Sequence, residues 1–336
     1  VEHVWMLADT VSSVMQAAGV ESYEIVEQMP GSRLEGWEYS HPLAVKVPFQ
    51  HDVRGSWVHK VVLSETVTAE STGVVHTAPG HGPEDFELGQ KLGLPIFSPV
   101  DDRGVFTPDA GAYADKSIWE ANDAILADLE AIGALFAKGT LIHRYGHCWR
   151  FRTPVLFRTT TQWFLNVSEI KPKMLEEVQR VKWYPDWAGE ARQYDWTLNL
   201  RDWCVSRQRY WGIPLPLWVC EECEELKVVG SIEELRQSPQ YREGMDLHRP
   251  AIDAVTFPCP KCGGMMVRVK DVLDVWFDSG VASWAQLGYP RRTDEYQRWW
   301  PIDWIVEGPD QTRGWFSSQL MAGVVAFRRV PYESVL

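Results

Sequence analysis

The sequence lacks any hydrophobic run long enough to cross a membrane, and it does not begin with a secretory signal. Its longest apolar stretch, residues 320–327, is far shorter than the ~20 residues that a membrane-spanning helix needs. It also lacks internal repeats and low-complexity tracts. These absences predict a protein without a membrane anchor.

Basic residues are also scarce. The 33 Lys and Arg residues are outnumbered by 46 Asp and Glu, which gives a net charge of −13. This balance excludes a protein with a strongly basic nucleic-acid-binding coat, although it leaves room for a local basic patch. Hydrophobic residues make up 45% and charged residues 24%, which is typical of a globular chain and excludes disorder. A length of 336 residues favours two or three domains.

Four of the six cysteines form two Cys-x-x-Cys pairs, Cys220 with Cys223 and Cys259 with Cys262. Two such turns that face each other supply the four thiolates of a closed tetrahedral Zn²⁺ site, which would be structural because no position is left for water. Without a secretion signal, the pairs indicate a metal site in a reducing cytoplasm. The alternatives are a redox pair or four unligated thiols. The interval between the pairs predicts an inserted helix over residues 231–237.

A second motif covers residues 76–86, His-Thr-Ala-Pro-Gly-His-Gly-Pro-Glu-Asp-Phe. The pattern predicts a strand that ends at His76, a loop, and a helix over 83–92 with Asp85 in its first turn. Glycines in the loop would let a ligand approach the backbone. In the alternative interpretation, Asp85 merely complements the helix dipole. A third possibility makes His76 and His81 the metal ligands of a small hydrolase.

A third motif begins at Glu307, directly after the apolar segment 304–306. Open α/β sheets bind ligands beyond the carboxyl ends of their strands. There Glu307 could take an ammonium group, Asp310 ribose hydroxyls and Gln311 an amide or a base, while Gly308 admits a nucleotide. In the alternative interpretation this is a charged loop with Arg313 paired to Asp310.

The remaining pattern indicates a mixed α/β chain. Apolar spacing predicts helices over 3–18 and 117–138, the second capped by Ser117 and ended by Gly139. Residues 56–68 and 73–77, rich in Val and Thr, predict strands. Apolar residues over 272–277 and 302–307 predict buried strands of a sheet.

Taken together, several stretches resemble the isoleucyl branch of the class I aminoacyl-tRNA synthetases. The Thr-Ala-Pro-Gly-His-Gly and Val-Trp-Phe-Asp-Ser-Gly forms are similar to that branch. The cysteine pairs, Pro309 and Thr312 resemble its archaeal or eukaryotic-like subgroup. The stretches that carry the resemblance are residues 76–86, 144–152, 162–164, 203–212, 274–280 and 307–316.

This resemblance implies a fold in which a β-rich editing domain is inserted in a Rossmann-type catalytic core that also carries a small zinc-ribbon module. The expected divisions are 1–140 for editing, 141–215 for the return into the core, 216–270 for the zinc module and 271–336 for the second half of the core. The His-Ile-Gly-His and Lys-Met-Ser-Lys-Ser signatures are not in this sequence. The chain is therefore expected to be an internal fragment that is inactive in aminoacylation by itself.

The resemblance also implies roles for single residues. Asp85 would bind the α-ammonium of a misacylated amino acid, with His76 lining the editing pocket. Glu307 would bind the ammonium of isoleucine, Trp276 and Trp315 would flank its side chain, and Gly308, Asp310 and Gln311 would contact the adenylate.

The implied activity is ATP- and Mg²⁺-dependent activation of isoleucine, transfer to tRNA(Ile) and hydrolysis of valyl-tRNA(Ile), by a cytoplasmic monomer. A stand-alone zinc-ribbon nucleic-acid binder is the competing hypothesis. It would explain the cysteine pairs, but neither the two acidic loops nor the net negative charge of the chain.

Overall fold

A computed structural model describes residues 3–68, 72–140 and 142–336. The chain divides into two compact units, residues 1–160 and 161–336. The end of the first functional domain, expected at residue 140, lies inside the first unit and stays a prediction. The α-helices are α1 (Val11–Ala17), α2 (Pro48–Asp52), α3 (Pro83–Leu92), α4 (Ile118–Ala131), α5 (Lys171–Arg180), α6 (Tyr194–Leu198), α7 (Ile232–Leu235), α8 (Val275–Gly280), α9 (Ala282–Ala285), α10 (Asp294–Trp299) and α11 (Trp315–Phe327).

All strands of the described residues lie in the second unit, where they form small sheets. A π-helix covers Ala188–Gln193, and a 3₁₀ helix covers Pro309–Arg313. The strands are β1 (Phe164–Leu165), β2 (Lys182–Trp183), β3 (Trp203–Cys204), β4 (Ser206–Arg207), β5 (Leu217–Cys220), β6 (Leu226–Val228), β7 (Phe257–Pro258), β8 (Met265–Arg268), β9 (Val272–Leu273) and β10 (Ser334–Val335).

Local end signals define the helices of the first unit. Helix α3 has the predicted bounds, with Pro83 in its first turn and Gly93 in the left-handed conformation after its end. Ser117 caps α4 in a capping box with Glu120, as predicted for Ser117. The predicted end at Gly139 is wrong, because Gly133 (φ 69°) already turns the chain. The predicted helix over 3–18 is shorter, since α1 begins at Val11 after a 3₁₀ turn.

The strands predicted over 56–68 and 73–77 are absent from the described residues, and so is the β-rich character expected of this unit. Backbone bonds do join 36–39 to 59–61, including Tyr39 N–H to the His59 carbonyl (3.0 Å) and Val61 N–H to the Trp37 carbonyl (2.8 Å). His59, however, has a φ of 53°, which interrupts the extended conformation that a longer ladder needs. The unit instead packs around buried Val47, Ala110 and Tyr113.

The core of the second unit is a small parallel layer covered by helices. Strands β2 and β10 pair in parallel, and Ile302 and Ile305 form parallel bridges to Tyr332 and Val335. Helix α11, buried from Phe316 to Val324, connects these neighbouring parallel segments. The predicted strand over 302–307 is thus reduced to bridges. The predicted strand over 272–277 is wrong beyond β9, because the Asp274 carboxylate accepts the Trp276 N–H and starts α8.

The cysteine-bearing segment forms an antiparallel sheet of its own, in the order β6-β5-β8-β7. Its core contains Trp218, Val255 and Met266, each at most 1% exposed. The sheet lies in the sequence between β4 and β9, which pair with each other. The predicted inserted helix is present as the short α7. Of the helices in the three described ranges, none is long and apolar enough to cross a membrane.

Candidate metal centre and substrate loops

The four paired cysteines converge on one point. Their sulfur atoms all lie within 4.8 Å of one another. Cys220 Sγ is 3.5 Å from Cys262 Sγ, and Cys223 Sγ is 3.6 Å from Cys259 Sγ. A tetrahedral zinc ion with Zn–S bonds of about 2.3 Å needs sulfurs about 3.8 Å apart. The donor set therefore fits a four-thiolate metal ion, and within the described residues it is the single His, Cys and acidic cluster of this kind.

Each cysteine pair lies on a tight turn that reverses immediately after its second cysteine. Gly263 follows Cys262 with a φ of 79°, as the Gly-Gly sequence predicts, whereas Glu224 follows Cys223 with a φ of 58°. The Lys261 N–H points at Cys259 Sγ (3.4 Å). Burial acts to raise the pKa of the Cys259 thiol, but backbone N–H groups, including that of Lys261, lower it to about 7. The turn therefore favours the thiolate form of Cys259, which is the form that binds metal. At Cys262 the Gly264 N–H acts to lower the pKa, but the neighbouring Cys223 and Cys220 thiols raise it.

In the 76–86 loop, Asp85 fastens the loop to the first turn of α3. Its Oδ2 accepts the Ala78 N–H at 3.0 Å, and its Oδ1 has no hydrogen-bond partner among the described residues. The bond to Ala78 supports a structural role for the Asp85 carboxylate, and its second oxygen is still available to a ligand. Gly80 has a different role from the predicted one. A Cβ at this position would lie 2.0 Å from the Phe97 carbonyl oxygen, so the glycine makes room for the backbone of residue 97. The structure therefore does not support the prediction that Gly80 makes room for a ligand.

His76 is exposed and belongs to a group of histidines that the sequence analysis missed. The rings of His41 and His59 are 5.5 Å apart. Burial, followed by the charges of His59 and His76, lowers the pKa of His41. No hydrogen bond joins His76 to Asp85 among the residues that the structure describes. His81 instead bonds the Phe157 carbonyl through Nδ1 (3.0 Å), which does not support the His76–His81 metal pair.

The third motif lies where predicted, beyond the carboxyl end of a parallel segment. Glu307 is exposed, and the Gln311 amide donates to the Asp310 carboxylate (3.0 Å). Gln311 Oε1 in turn accepts the Trp315 N–H at 2.9 Å. The alternative ion pair between Arg313 and Asp310 is not formed, since the Arg313 guanidinium lies 5.2 Å from the centre of the Trp196 ring. The acidic and amide groups are therefore held within the loop itself.

Trp276 and Trp315, predicted to flank one side chain, come close to the same glycine-bearing turn. A Cβ on Gly314, the residue before Trp315, would lie 3.4 Å from Trp276 Cη2. The Trp315 indole donates to the Ser279 carbonyl of α8 (2.9 Å), which fixes its ring. Trp276 is 41% exposed, so one part of its ring faces solvent. The structure thus places both rings beside the loop that carries Glu307 and Gln311.

Sequence reasoning missed the group that connects these segments. The buried Asp274 carboxylate accepts the Trp203 indole N–H (3.0 Å) and pairs with Arg207 (2.7 Å). Backbone bonds from Asp274 to Val205 and from Val205 to Trp163 continue the connection. Three of the stretches that carry the family resemblance therefore meet at one place. These stretches lie far apart in the sequence, at 162–164, 203–212 and 274–280, so no local pattern indicated this role.

The comparisons with known proteins agree with the resemblance. A profile described as tRNA synthetases class I (I, L, M and V) matches residues 8–336. The chain therefore belongs to the class I tRNA synthetases of this group. It is 54% identical over 336 residues to the isoleucine--tRNA ligase of Archaeoglobus fulgidus, covering 100% of this chain and 32% of that protein. It is 53% identical over 332 residues to that of Methanothrix thermoacetophila, covering 98% and 31%.

The chain thus spans about a third of the length of these curated relatives. The predicted resemblance is confirmed at the level of the family and of the most similar relatives. Among solved structures, a LeuRS–tRNA complex from Agrobacterium radiobacter matches 40% of this chain and 19% of its own at 25% identity. Its TM-score of 0.28 is too low for a shared overall fold to follow.

Proposed function

We propose that the full-length protein is an isoleucine–tRNA ligase, a cytoplasmic monomer that activates isoleucine with ATP and Mg²⁺ and transfers it to tRNA(Ile). Family membership and the identity to relatives of that name support the reaction class. The carrying observation is the loop after Ile305, whose acidic and amide groups follow a parallel segment beside two tryptophans. By itself this chain is not expected to form the adenylate.

Within this proposal, residues 271–336 are the second half of a Rossmann-type core and 141–215 lead into it. Glu307, exposed at the strand end, binds the ammonium of isoleucine, and Trp276 and Trp315 flank its side chain. Gly308, Asp310 and Gln311 contact the adenylate. A Cβ on Gly308 would lie 2.5 Å from Asp310 Oδ1, so the glycine leaves space for that carboxylate. The polar side chains already bonded within the loop are preorganised for a ligand.

Residues 1–140 are proposed to hydrolyse valyl-tRNA(Ile). Asp85 binds the α-ammonium of the ester through the oxygen that Ala78 does not use, while His76 lines the pocket. A carboxylate held by a backbone N–H gives up little freedom on binding a cation, which favours a charge-assisted contact. The same groups position the ester for attack by water.

Residues 216–270 are proposed to bind one structural Zn²⁺ through Cys220, Cys223, Cys259 and Cys262. The sulfur distances support this proposal. Four thiolates fill a tetrahedral shell, so the ion supplies stability and takes no part in the reaction.

The test is isoleucine-dependent exchange of pyrophosphate into ATP by the full-length protein. We expect Glu307→Gln to raise the KM for isoleucine at least tenfold, because it removes the charge that meets the ammonium. Asp303→Asn is the matched control, since Asp303 is an exposed acid of the same segment, upstream of the parallel bridge at Ile305. An unchanged KM in Glu307→Gln, or equal effects of both substitutions, would contradict the assigned role. Absence of isoleucine-dependent exchange in the wild type would contradict the function.

A further inference from the structure

One segment of this acidic protein contains no acidic residue at all. Between Glu130 and Glu169 the sequence has no Asp or Glu, although the whole chain carries 46. The same segment contains Lys138 and four arginines, at positions 144, 150, 152 and 158. This segment is therefore a local basic patch on a chain whose net charge is −13. Neither of the two proposed active sites uses its basic residues.

The centre of this segment is a tight hairpin. Backbone bonds join Cys148 N–H to the Thr153 carbonyl (2.8 Å) and Val155 N–H to the Gly146 carbonyl (3.0 Å). The tip closes through Arg152, which has a φ of 60° and donates its N–H to the Cys148 carbonyl (2.8 Å). The hairpin therefore fixes its tip side chains on a closed turn.

The tip presents aromatic rings and guanidinium groups to solvent. Trp149 is 75% exposed and Phe151 is 73% exposed. The Arg150 guanidinium lies 4.9 Å from the centre of the Trp149 ring. Arg150 and Arg152 are exposed and form no ion pair within the described residues. Arg158 differs, because it bonds the Val100 carbonyl (2.9 Å) and pairs with Asp102.

Aromatic residues also lie at the base of the hairpin. There Tyr145 and Phe157 line a cavity of about 360 Å³ together with Trp119 and Asn122. Tyr145 is held in place by a bond from its hydroxyl to the Val155 carbonyl (2.9 Å). Flat aromatic faces next to an amide offer both stacking and hydrogen bonding to a planar heterocycle.

We propose that the hairpin at residues 145–155 binds a single-stranded stretch of RNA. Bases stack on Trp149 and Phe151, while Arg150 and Arg152 meet the phosphates. Aromatic platforms between unpaired cations are the features that single strands require, because their bases have free faces. A duplex offers no such faces to a protruding tip. This inference rests on the proposed function, in which the partner is a tRNA, and it assigns a contact surface to that partner.

The experiment measures binding of a fluorescein-labelled single-stranded RNA of about 12 nucleotides, within the usual site sizes, to the 336-residue chain. The variant combines Trp149→Ala, Arg150→Gln and Arg152→Gln. The control combines Arg33→Gln with Trp187→Ala, which removes an exposed arginine and an exposed tryptophan elsewhere. We expect at least tenfold weaker binding for the variant, since stacking contributes about 1–3 kcal/mol per base. Its salt dependence should fall by roughly 0.7 in log–log slope for each phosphate that the variant no longer neutralises.

Melting temperatures verify folding, and they should not change because the altered side chains are exposed. Equal affinity and salt slope for wild type and variant would overturn the inference. The inference would also be overturned if the wild type bound duplex RNA as tightly as single-stranded RNA. A variant that lost binding to anionic vesicles but kept its RNA binding would overturn it as well. Pyrophosphate exchange needs no RNA, so the two failures are distinguishable. If the full-length protein shows normal exchange and the hairpin variant still binds RNA, only this inference is wrong. If the full-length protein shows no exchange, the proposed function is wrong.

Discussion

At the scale of single residues, substitution of Asp85 distinguishes a role in binding the substrate from a purely structural role. Its carboxylate holds Ala78 by one bond at 3.0 Å. If that were its whole role, Asp85→Ala should cost about 0.5–2 kcal/mol of stability and leave activity nearly intact. If Asp85 fixes the ester, we expect deacylation of valyl-tRNA(Ile) by the full-length protein to fall by orders of magnitude. Isoleucine activation should remain normal.

Glu84→Ala is the matched control for this substitution. Glu84 is an exposed acid in the same first turn of α3 and shares its favourable interaction with the helix dipole. It has no bond to the loop backbone among the described residues. The measurement compares deacylation of pre-formed valyl-tRNA(Ile) and melting temperature in both variants. Reduced stability with normal deacylation in Asp85→Ala would show that its role is structural.

The sequence predicts the chemical type of a site residue better than it predicts the residues that surround it in space. The position of Asp85 in the first turn of a helix follows from Pro83 and local spacing alone, and the structure agrees. The role of Gly80 depends on Phe97, which comes close only after folding. His41 and His59 approach each other in the same way, across a segment with no local marker. Residue types carry chemical information, whereas such contacts depend on distant parts of the chain.

At the scale of elements, the metal module provides the sharpest prediction. Cys220→Ser should lower the zinc content from about one ion per chain to near zero, because three thiolates no longer close the tetrahedral shell. The antiparallel sheet should then lose cooperative unfolding, since its two turns meet through the cysteines. Elemental analysis and limited proteolysis between residues 216 and 270 provide the readouts. Cys148→Ser is the control, because Cys148 lies outside the cluster.

A well-folded, protease-resistant segment with no metal in the wild type would contradict this prediction. Zinc bound equally by Cys220→Ser and Cys148→Ser would contradict it as well. The four cysteines could be predicted because their spacing alone nearly determines the site. Helices were predictable for a similar reason, since Ser117, Pro83 and Gly93 act within one turn. Strands over 56–68 were not, because a strand exists only with its partner, and His59 breaks the pairing.

At the scale of the whole molecule, Glu177 ties the helical layer to the parallel layer. It is fully buried on α5, and its carboxylate accepts the Val330 N–H at 3.0 Å across 153 positions of sequence. Burial acts to raise its pKa, but Lys173, the Val330 N–H and Arg180 together lower it below the ordinary value of 4.5. The charged form is therefore favoured by the native state.

Because the native pKa is depressed, the stabilisation is fully present above about pH 4.5 and is lost as the pH falls through the lower native value. We expect Glu177→Gln to lower the stability of the second unit at neutral pH by roughly 1–3 kcal/mol and to flatten its loss of stability in acid. Urea unfolding between pH 3 and 7 provides the measurement. Glu176→Gln, at a half-exposed neighbour, should do neither. Parallel acid curves for wild type and Glu177→Gln would refute the assignment.

Contacts between distant parts of the chain are the features that the sequence predicts least well. The α/β class followed from apolar segments near the end of the chain, and the parallel pairing of 302–305 with 332–335 agrees with it. The contact between Glu177 and Val330 has no local pattern, because each residue is ordinary within its own helix or turn. Asp274 and Arg207 meet for the same reason, through pairing of β4 with β9.

That pairing of β4 with β9 has a consequence for how the protein can vary. Ser206 faces Leu273, and Pro214 bridges Val272, so the chain leaves for the cysteine-bearing sheet and returns from it at almost the same point. Segments whose two ends lie together can be lengthened, shortened or exchanged with little effect on the host fold. We therefore expect the sheet to be a detachable insert: a short turn that joined the two strands should leave the Asp274–Arg207 contact in place, without metal.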